Sequence, residues 1–229
     1  MIREGCFARV VERLNGCGGW WEVDIRTRIT SKSRGNIVPL DITCDTNPAW
    51  LLRMTLDLET SRLQLLRVRP EDWEAYYPIF SAPETSQFSD LPRRPTEKRT
   101  RGFVNWMVRI SQQSKGFGWM VRDRGTGVLL GCIRLNSIDK QMSAAVIGYE
   151  FGTSFWGRGY ATEALVAVTK HCHEAMKLYR LEAWTVEGNP ASERVLEKAG
   201  YRHEGTQRKK MVIGKQRFDT RLFGRLADD

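Results

Sequence analysis

The chain has 229 residues, enough for one domain of ordinary size with an appendage. With 41% hydrophobic and 28% charged residues it reads as a soluble globular protein and not a disordered one. No apolar run approaches the roughly 18–20 residues of a membrane-spanning helix, so no membrane partner is expected. The first residues mix Arg3, Glu4, Arg9, Glu12 and Arg13 with apolar ones, which is no signal-peptide core, and the cytoplasm is the expected compartment. Cys6, Cys17, Cys44, Cys132 and Cys172 are scattered and lack C-x-x-C spacing; buried or inert thiols are expected, with neither a disulfide framework nor a metal site. The net charge of +9 gathers at Arg93, Arg94, Lys98, Arg99 and Arg101 and again at Arg208, Lys209 and Lys210. These clusters read first as solvated faces, then as contacts to a cofactor's phosphates, and last as a nucleic-acid or ribosomal surface. No aromatic-interleaved RNA motif accompanies either.

Residues 1–53 show little sustained periodicity of either kind and carry G-C-G-G-W-W, S-K-S-R-G-N and D-T-N-P. They read as a poorly structured extension upstream of a natural start at Met54, or as a real but loosely packed arm. From residue 54 to 229 the pattern is orderly. Arg62–Arg69 alternates in part as a strand, and Pro70 then starts a helix through Trp73, Tyr77 and Phe80. A second helix runs from Thr96 to about Ser114, with Phe103, Trp106, Met107 and Ile110 three to four residues apart. Gly118–Arg122 and Val128–Leu135 form a hairpin across D-R-G-T-G, and Ala144–Phe151 is a fourth strand, apolar enough to be central.

A glycine-bearing loop follows, then a helix from about Gly159 to Lys177 whose apolar face carries Ala161, Ala164, Leu165, Val168 and Cys172. Arg180–Val186 is a fifth strand, which that crossover should place parallel to the fourth. Asn189 then caps a short helix with Pro190 at its first position, and Gly200 closes it. Strands near Arg202–Gln207 and Arg217–Arg225 complete an α/β mixed sheet with helices on both faces.

The most informative stretch is V-I-G-Y-E-F-G-T-S-F-W-G-R-G-Y-A-T-E-A, from Val146 to Ala164. Gly157 and Gly159 flank Arg158 where a helix begins, and a helix N-terminus offers unpaired N–H groups and partial positive charge. Glycine lets that backbone close on an anion, so the segment reads as a phosphate cradle. No G-x-x-x-x-G-K-[ST] exists, so a P-loop is excluded. A Rossmann-type nucleotide-binding oxidoreductase is the minor alternative, with Glu182 near the place of a ribose-binding acid. Thr162 in place of the third glycine, and the long β-rich segment before the loop, argue against it.

The stretch from Leu58 to Leu226 resembles the GNAT superfamily of acetyl-CoA-dependent N-acetyltransferases, most nearly its ribosomal-protein-alanine acetyltransferase branch. The resemblance rests on G-Y-E-F-x-x-x-F-W-G-R-G-Y-A-T-E-A, then N-P-A-S-E-R-V-L-E-K-A-G-Y, then E-G-T-x-R with R-F-D-T-x-L-F. It implies that the fourth and fifth strands splay apart and that the pantetheine arm of acetyl-CoA lies in the gap. Tyr149 and Phe151 would border that arm. The pyrophosphate would rest on the loop from Phe155 through Trp156, Gly157, Arg158, Gly159 and Tyr160 to Ala161. Asn189 and Ser192 would stand near the pantetheine and its sulfur, with Ser192 placed to protonate the leaving thiolate.

Three departures from the family pattern stand out: Ser154 heads the glycine loop, Val146 holds the place of a carboxylate, and Leu196 the place of a tyrosine. Glu150 is the nearest remaining carboxylate for a catalytic role, although alternation could aim it away from the cleft. Without a dedicated base, a protein N-terminal α-amine or a small weakly basic amine is the favoured acceptor over lysine. The competing expectation is a GNAT-like module that binds CoA without turnover.

Overall fold

The computed structural model describes residues 57–88 and 95–229, together with the backbone of three short strands nearer the N-terminus. The remainder of 1–53, Cys6, Cys17, Cys44, Arg93 and Arg94 lie outside the described residues. The chain divides into Met1–Asn47 and Pro48–Asp229. In the first unit, Trp21–Val23 (β1), Ile29–Ser33 (β2) and Asn36–Pro39 (β3) pair antiparallel in that order.

The second unit begins with the antiparallel pair Leu58–Glu59 (β4) and Leu63–Arg67 (β5). Helices Trp73–Phe80 (α1), Pro83–Ser86 (α2) and Glu97–Gln112 (α3) follow. Phe117–Asp123 (β6), Leu129–Asp139 (β7) and Ala144–Phe151 (β8) form a meander that ends in the glycine loop. Tyr160–Glu174 (α4) then crosses to Arg180–Val186 (β9), followed by Pro190–Lys198 (α5) and a hairpin of Arg202–Ile213 (β10) and Gln216–Leu226 (β11). The eight strands lie in the order β10-β11-β9-β8-β7-β6-β5-β4, and β8 with β9 is the parallel pair. A parallel pair needs a long crossover, and α4 supplies it.

The helices fall on both faces because each strand alternates. Phe117, Trp119, Val121, Ile147, Phe151, Leu181 and Ala183 pack with Leu165, Val168, Cys172 and Leu196 of α4 and α5. Met120, Leu129 and Cys132 face the other way, onto Tyr76, Ile79 and Phe80 of α1 and Val104 and Met107 of α3. Cys132 and Cys172 are free, buried thiols. His171 packs edge-on against Trp119, and His173 Nδ1 lies 2.8 Å from the Leu178 carbonyl, so both histidines, in the last turn of α4, are structural in setting.

Local punctuation behaves as its chemistry requires. The Thr96 side chain accepts from the Arg99 N–H, and Asn189 Oδ1 accepts from the Ser192 N–H at 3.2 Å. Strand β10 runs on to Ile213, six residues beyond its predicted end at Gln207. It is a terminal strand with most side chains exposed, so it shows no apolar alternation to read. A bulge between Gln207 and Met211 breaks its pairing, and there Asp219 Oδ1 takes the Lys209 N–H at 2.9 Å.

The feature that positions the site is where pairing stops. Strands β8 and β9 are paired only at Ala144–Arg180, Ala145–Leu181 and Val146–Glu182. Beyond that, β7 holds β8 as far as Phe151 and β11 holds β9 as far as Val186. Each half of the sheet is stitched to its own neighbour, and the two part between Ile147–Phe151 and Ala183–Val186. The splayed fourth and fifth strands expected above are therefore present.

Candidate active site

At the C-terminal end of β8 the chain makes a short 3-10 turn, Thr153–Phe155, and then the glycine loop. Gly157 and Gly159 have φ of +74° and +79°, a region that side chains with a Cβ enter only at a cost. Gly159 is also the N-cap of α4 and, having no side chain, places no hydrogen-bond acceptor over the first-turn N–H groups. Those donors, with the helix dipole behind them, suit an anion, so the residues present fit a pyrophosphate. The Arg158 side chain is exposed beside them. Phe155, Tyr160 and Ala161 pack partly into the core, while Trp156 is about half exposed and donates its indole N–H to the Phe151 carbonyl at 2.8 Å.

Arg62, just before β5, fastens this loop from the side. It donates Nε to Glu163 Oε2 at 2.7 Å and Nη1 to the Arg158 carbonyl at 3.1 Å, and its guanidinium lies 4.7 Å above the Tyr160 ring. The Thr60 hydroxyl also donates to Glu163. Burial alone would raise the Glu163 carboxyl, but the Thr60 and Arg62 hydrogen bonds outweigh it and hold the group below its ordinary range. A depressed carboxyl contributes stability above its unfolded pKa of about 4.3 and loses it as pH falls. The Tm difference between wild type and Glu163→Gln is therefore expected at pH 7 and should shrink toward pH 3. A difference independent of pH would show that the clamp is not ionic.

Inside the gap, Tyr149 reaches from β8 to the first turn of α5. Its hydroxyl lies 2.8 Å from Ser192 Oγ and donates toward the Ser192 carbonyl at 3.1 Å. Burial pushes the phenol well above its ordinary pKa, with the Ser192 hydrogen bond opposing. Leu196, at the position of the family pattern's tyrosine, is buried core.

Glu150 projects to the opposite face of β8 from Tyr149 and Phe151. Its carboxylate pairs with Arg134, with Nη2 to Oε1 at 2.9 Å, and accepts from the Tyr76 hydroxyl at 3.3 Å and the Cys132 thiol at 3.4 Å. The Arg134 guanidinium also lies 5.0 Å over the Phe103 ring. Burial and the Glu150 charge push the Cys132 thiol up to about 12 and Tyr76 well above 10, so both are neutral donors at pH 7. Glu150 is thus a carboxylate already committed to Arg134.

The structure brings Tyr149, Phe151, the Phe155–Ala161 loop, Asn189 and Ser192 to the two sides and the mouth of one gap, and sets Glu150 on the far face. Sequence reasoning missed Arg62, Thr60, Arg134 and Tyr76. None carries a local signal, because each acts on a residue from a different strand or helix. Glu182, the ribose acid of the Rossmann alternative, is paired with Arg180 in a mainly antiparallel sheet, and that alternative falls with the topology. Among the described residues no cluster of His, Cys, Asp and Glu gathers as metal ligands.

A sheet that opens at its parallel pair, with an uncapped helix start at the mouth, has the form of an acyltransferase that draws its acyl group from coenzyme A. The family model described as the acetyltransferase (GNAT) domain matches residues 62–202, more than half of the chain. The protein belongs to the GNAT acetyltransferase family. It is 29% identical over 166 residues to the uncharacterized N-acetyltransferase YoaA of Bacillus subtilis, covering 72% of this chain and 94% of that one. A GNAT-family acetyltransferase from Bacillus anthracis superposes with a TM-score of 0.68 at 29% identity, over 76% of this chain and all of that one. RimL, a ribosomal L7/L12 alpha-N-protein acetyltransferase solved with coenzyme A, shares the fold with a TM-score of 0.68 at 20% identity. That match covers 73% of this chain and 95% of RimL.

Proposed function

We propose that the protein transfers an acetyl group from acetyl-CoA to a polypeptide α-amine or a small, weakly basic amine, by direct attack within a ternary complex. The observation that carries this reading is the parting of β8 from β9 after the Val146–Glu182 pair, with the glycine loop at its mouth. The gap takes the pantetheine arm along Gly148–Phe151, and the loop from Phe155 to Ala161 takes the pyrophosphate. Asn189 shapes the start of α5, and Ser192 donates the proton to the departing thiolate. A β8 N–H facing the gap polarises the thioester oxygen. RimL, by its description, acts on an α-amine of a ribosomal protein, and the shared fold makes that acceptor class a natural one to test.

The acceptor preference follows from proton chemistry. An α-amine with pKa near 8 is roughly a tenth neutral at pH 7, whereas a lysine near 10.4 is neutral in under about a thousandth. With Glu150 tied to Arg134, a substrate that needs little deprotonation is favoured. The test is release of free CoA thiol from acetyl-CoA with two peptide sets, one with a free N-terminus and no lysine, the other N-terminally blocked with internal lysine. Faster turnover on the first set is expected. The reverse order would refute the acceptor class, and tight acetyl-CoA binding without turnover on any amine would identify a binding module.

A further inference from the structure

We infer that Tyr149 is a positioning residue for the Ser192 hydroxyl, a phenol supplied from β8 that decides where the serine proton points. This rests on the proposed transfer reaction and concerns the step in which the thiolate leaves.

Tyr149 is well placed for this and badly placed for anything else polar. Its ring packs against the core beneath α4 and α5, and its hydroxyl makes its hydrogen bonds to Ser192 alone among the described residues. A phenol has one proton to give, and two acceptors stand within reach: the Ser192 carbonyl at 3.1 Å and Ser192 Oγ at 2.8 Å. The pair therefore has two settings. In one, Tyr149 donates to the carbonyl, and the Ser192 hydroxyl spends its own proton on the phenol oxygen. In the other, Tyr149 donates to Ser192 Oγ, and the serine proton is free to turn into the gap. Only the second setting arms Ser192 as a donor.

The phenol is suited to hold its proton in both settings. Burial raises its pKa well above the ordinary value, so Tyr149 stays neutral at any pH at which the enzyme works and does not act as a base. The serine is equally constrained. Its N–H is bound by Asn189 Oδ1 at 3.2 Å, which fixes the first turn of α5 against the gap and leaves the hydroxyl as the movable part. Asn189 and Tyr149 thus grip Ser192 from two sides, one through the backbone and one through the side chain.

The chemistry balances as follows. The neutral amine's lone pair forms the C–N bond while the thioester C=O pair moves onto oxygen. That pair returns, the C–S bond breaks, and sulfur takes the Ser192 Oγ proton. The hydrogen bond donated by Tyr149 stabilises the charge left on Ser192 Oγ, which recovers a proton shed by the acceptor nitrogen and relayed by water. The products are the amide and free CoA thiol, and both hydroxyls return to their starting state.

The experiment is a double-mutant cycle on kcat with acetyl-CoA and whichever amine the wild-type protein acetylates. Ser192→Ala is expected to lower kcat about 100-fold, the lower end of what a placed proton donor contributes. Tyr149→Phe, which keeps the ring and its packing, should lower kcat about 10-fold, with the Kd for CoA changed less than about twofold and a Tm fall no larger than the loss of one buried hydrogen bond accounts for. In the Ser192→Ala background, Tyr149→Phe should cost nothing further, because there is no hydroxyl left to aim. Independent, multiplying losses would overturn the inference, as would an unchanged kcat in Tyr149→Phe. If the wild type turns over no amine, the transfer reading itself fails. In that case the inference falls with it and not through the cycle.

Discussion

Replacing Glu150 by alanine should destabilise the domain by about 3–5 kcal/mol, the cost of stripping a buried cation of its counter-charge. The side chains of Arg134 and Glu150 are only 11% and 14% exposed, so water cannot easily take the place of the lost partner. Burial works against the Arg134 charge, yet Glu150 overrides it and raises the guanidinium pKa above its ordinary value. Tyr76 and Cys132 cannot replace the carboxylate, because burial keeps both protonated. Urea unfolding should therefore show a large fall in midpoint for Glu150→Ala. Adding Arg134→Met should recover part of it by removing the stranded cation, leaving the packing loss from the smaller side chain at 150. The same series tests Glu150 as a catalytic group. A positioning carboxylate predicts that turnover tracks stability across Glu150→Gln, Glu150→Ala and the double variant. A proton acceptor predicts that Glu150→Gln loses far more turnover than its loss of stability accounts for, and an unaltered midpoint in Glu150→Ala would contradict the ion-pair account altogether.

What could be read from the sequence was what depends on neighbours along the chain. The glycine loop declared itself because two positive-φ positions and a helix start fall within a few residues. Asn189, Pro190 and Gly200 bracket α5 with local chemistry, and the crossover through α4 fixes the direction of β9. The splay was not visible in periodicity at all. It came only with the family resemblance, since a strand that loses one partner keeps the same alternation as one that retains it. The ionic and hydrogen-bonded parts of the site were hidden for a different reason. Arg62 meets Glu163 from 101 positions away, and Tyr149 meets Ser192 from 43, so only the strand order brings them together. Glu150 shows the limit within one strand. Alternation could say that it opposes Tyr149, but not that Arg134 on the adjacent β7 would claim its carboxylate.

The glycine loop gives the second large effect, on the co-substrate. A Cβ at Gly157 would meet no atom within 4 Å, and one at Gly159 would come no closer than 3.5 Å, to the end of the Arg62 side chain. Steric clash within the protein is therefore not what demands glycine at either position. The demand is conformational, since φ values of +74° and +79° cost a β-branched residue about 1–2 kcal/mol each. Valine at both positions would release that strain by moving the first-turn N–H groups out of their cradle, and each side chain would project into the space offered to the phosphates. Acetyl-CoA binding should weaken about 100-fold, the equivalent of about 2.7 kcal/mol. Thermal denaturation reports this directly. At a ligand concentration of 100 times the wild-type Kd, acetyl-CoA adds about 2.7 kcal/mol of stability to the wild type. It should add only about 0.4 kcal/mol to the Gly157→Val, Gly159→Val variant. If chemistry is untouched, kcat at saturation should survive while KM for acetyl-CoA rises, because in the proposed complex the loop meets the pyrophosphate, far from the reacting carbonyl. A full ligand-induced shift in the double variant would mean that the pyrophosphate does not rest on this loop, and the gap between β8 and β9 would then have to account for acetyl-CoA binding alone.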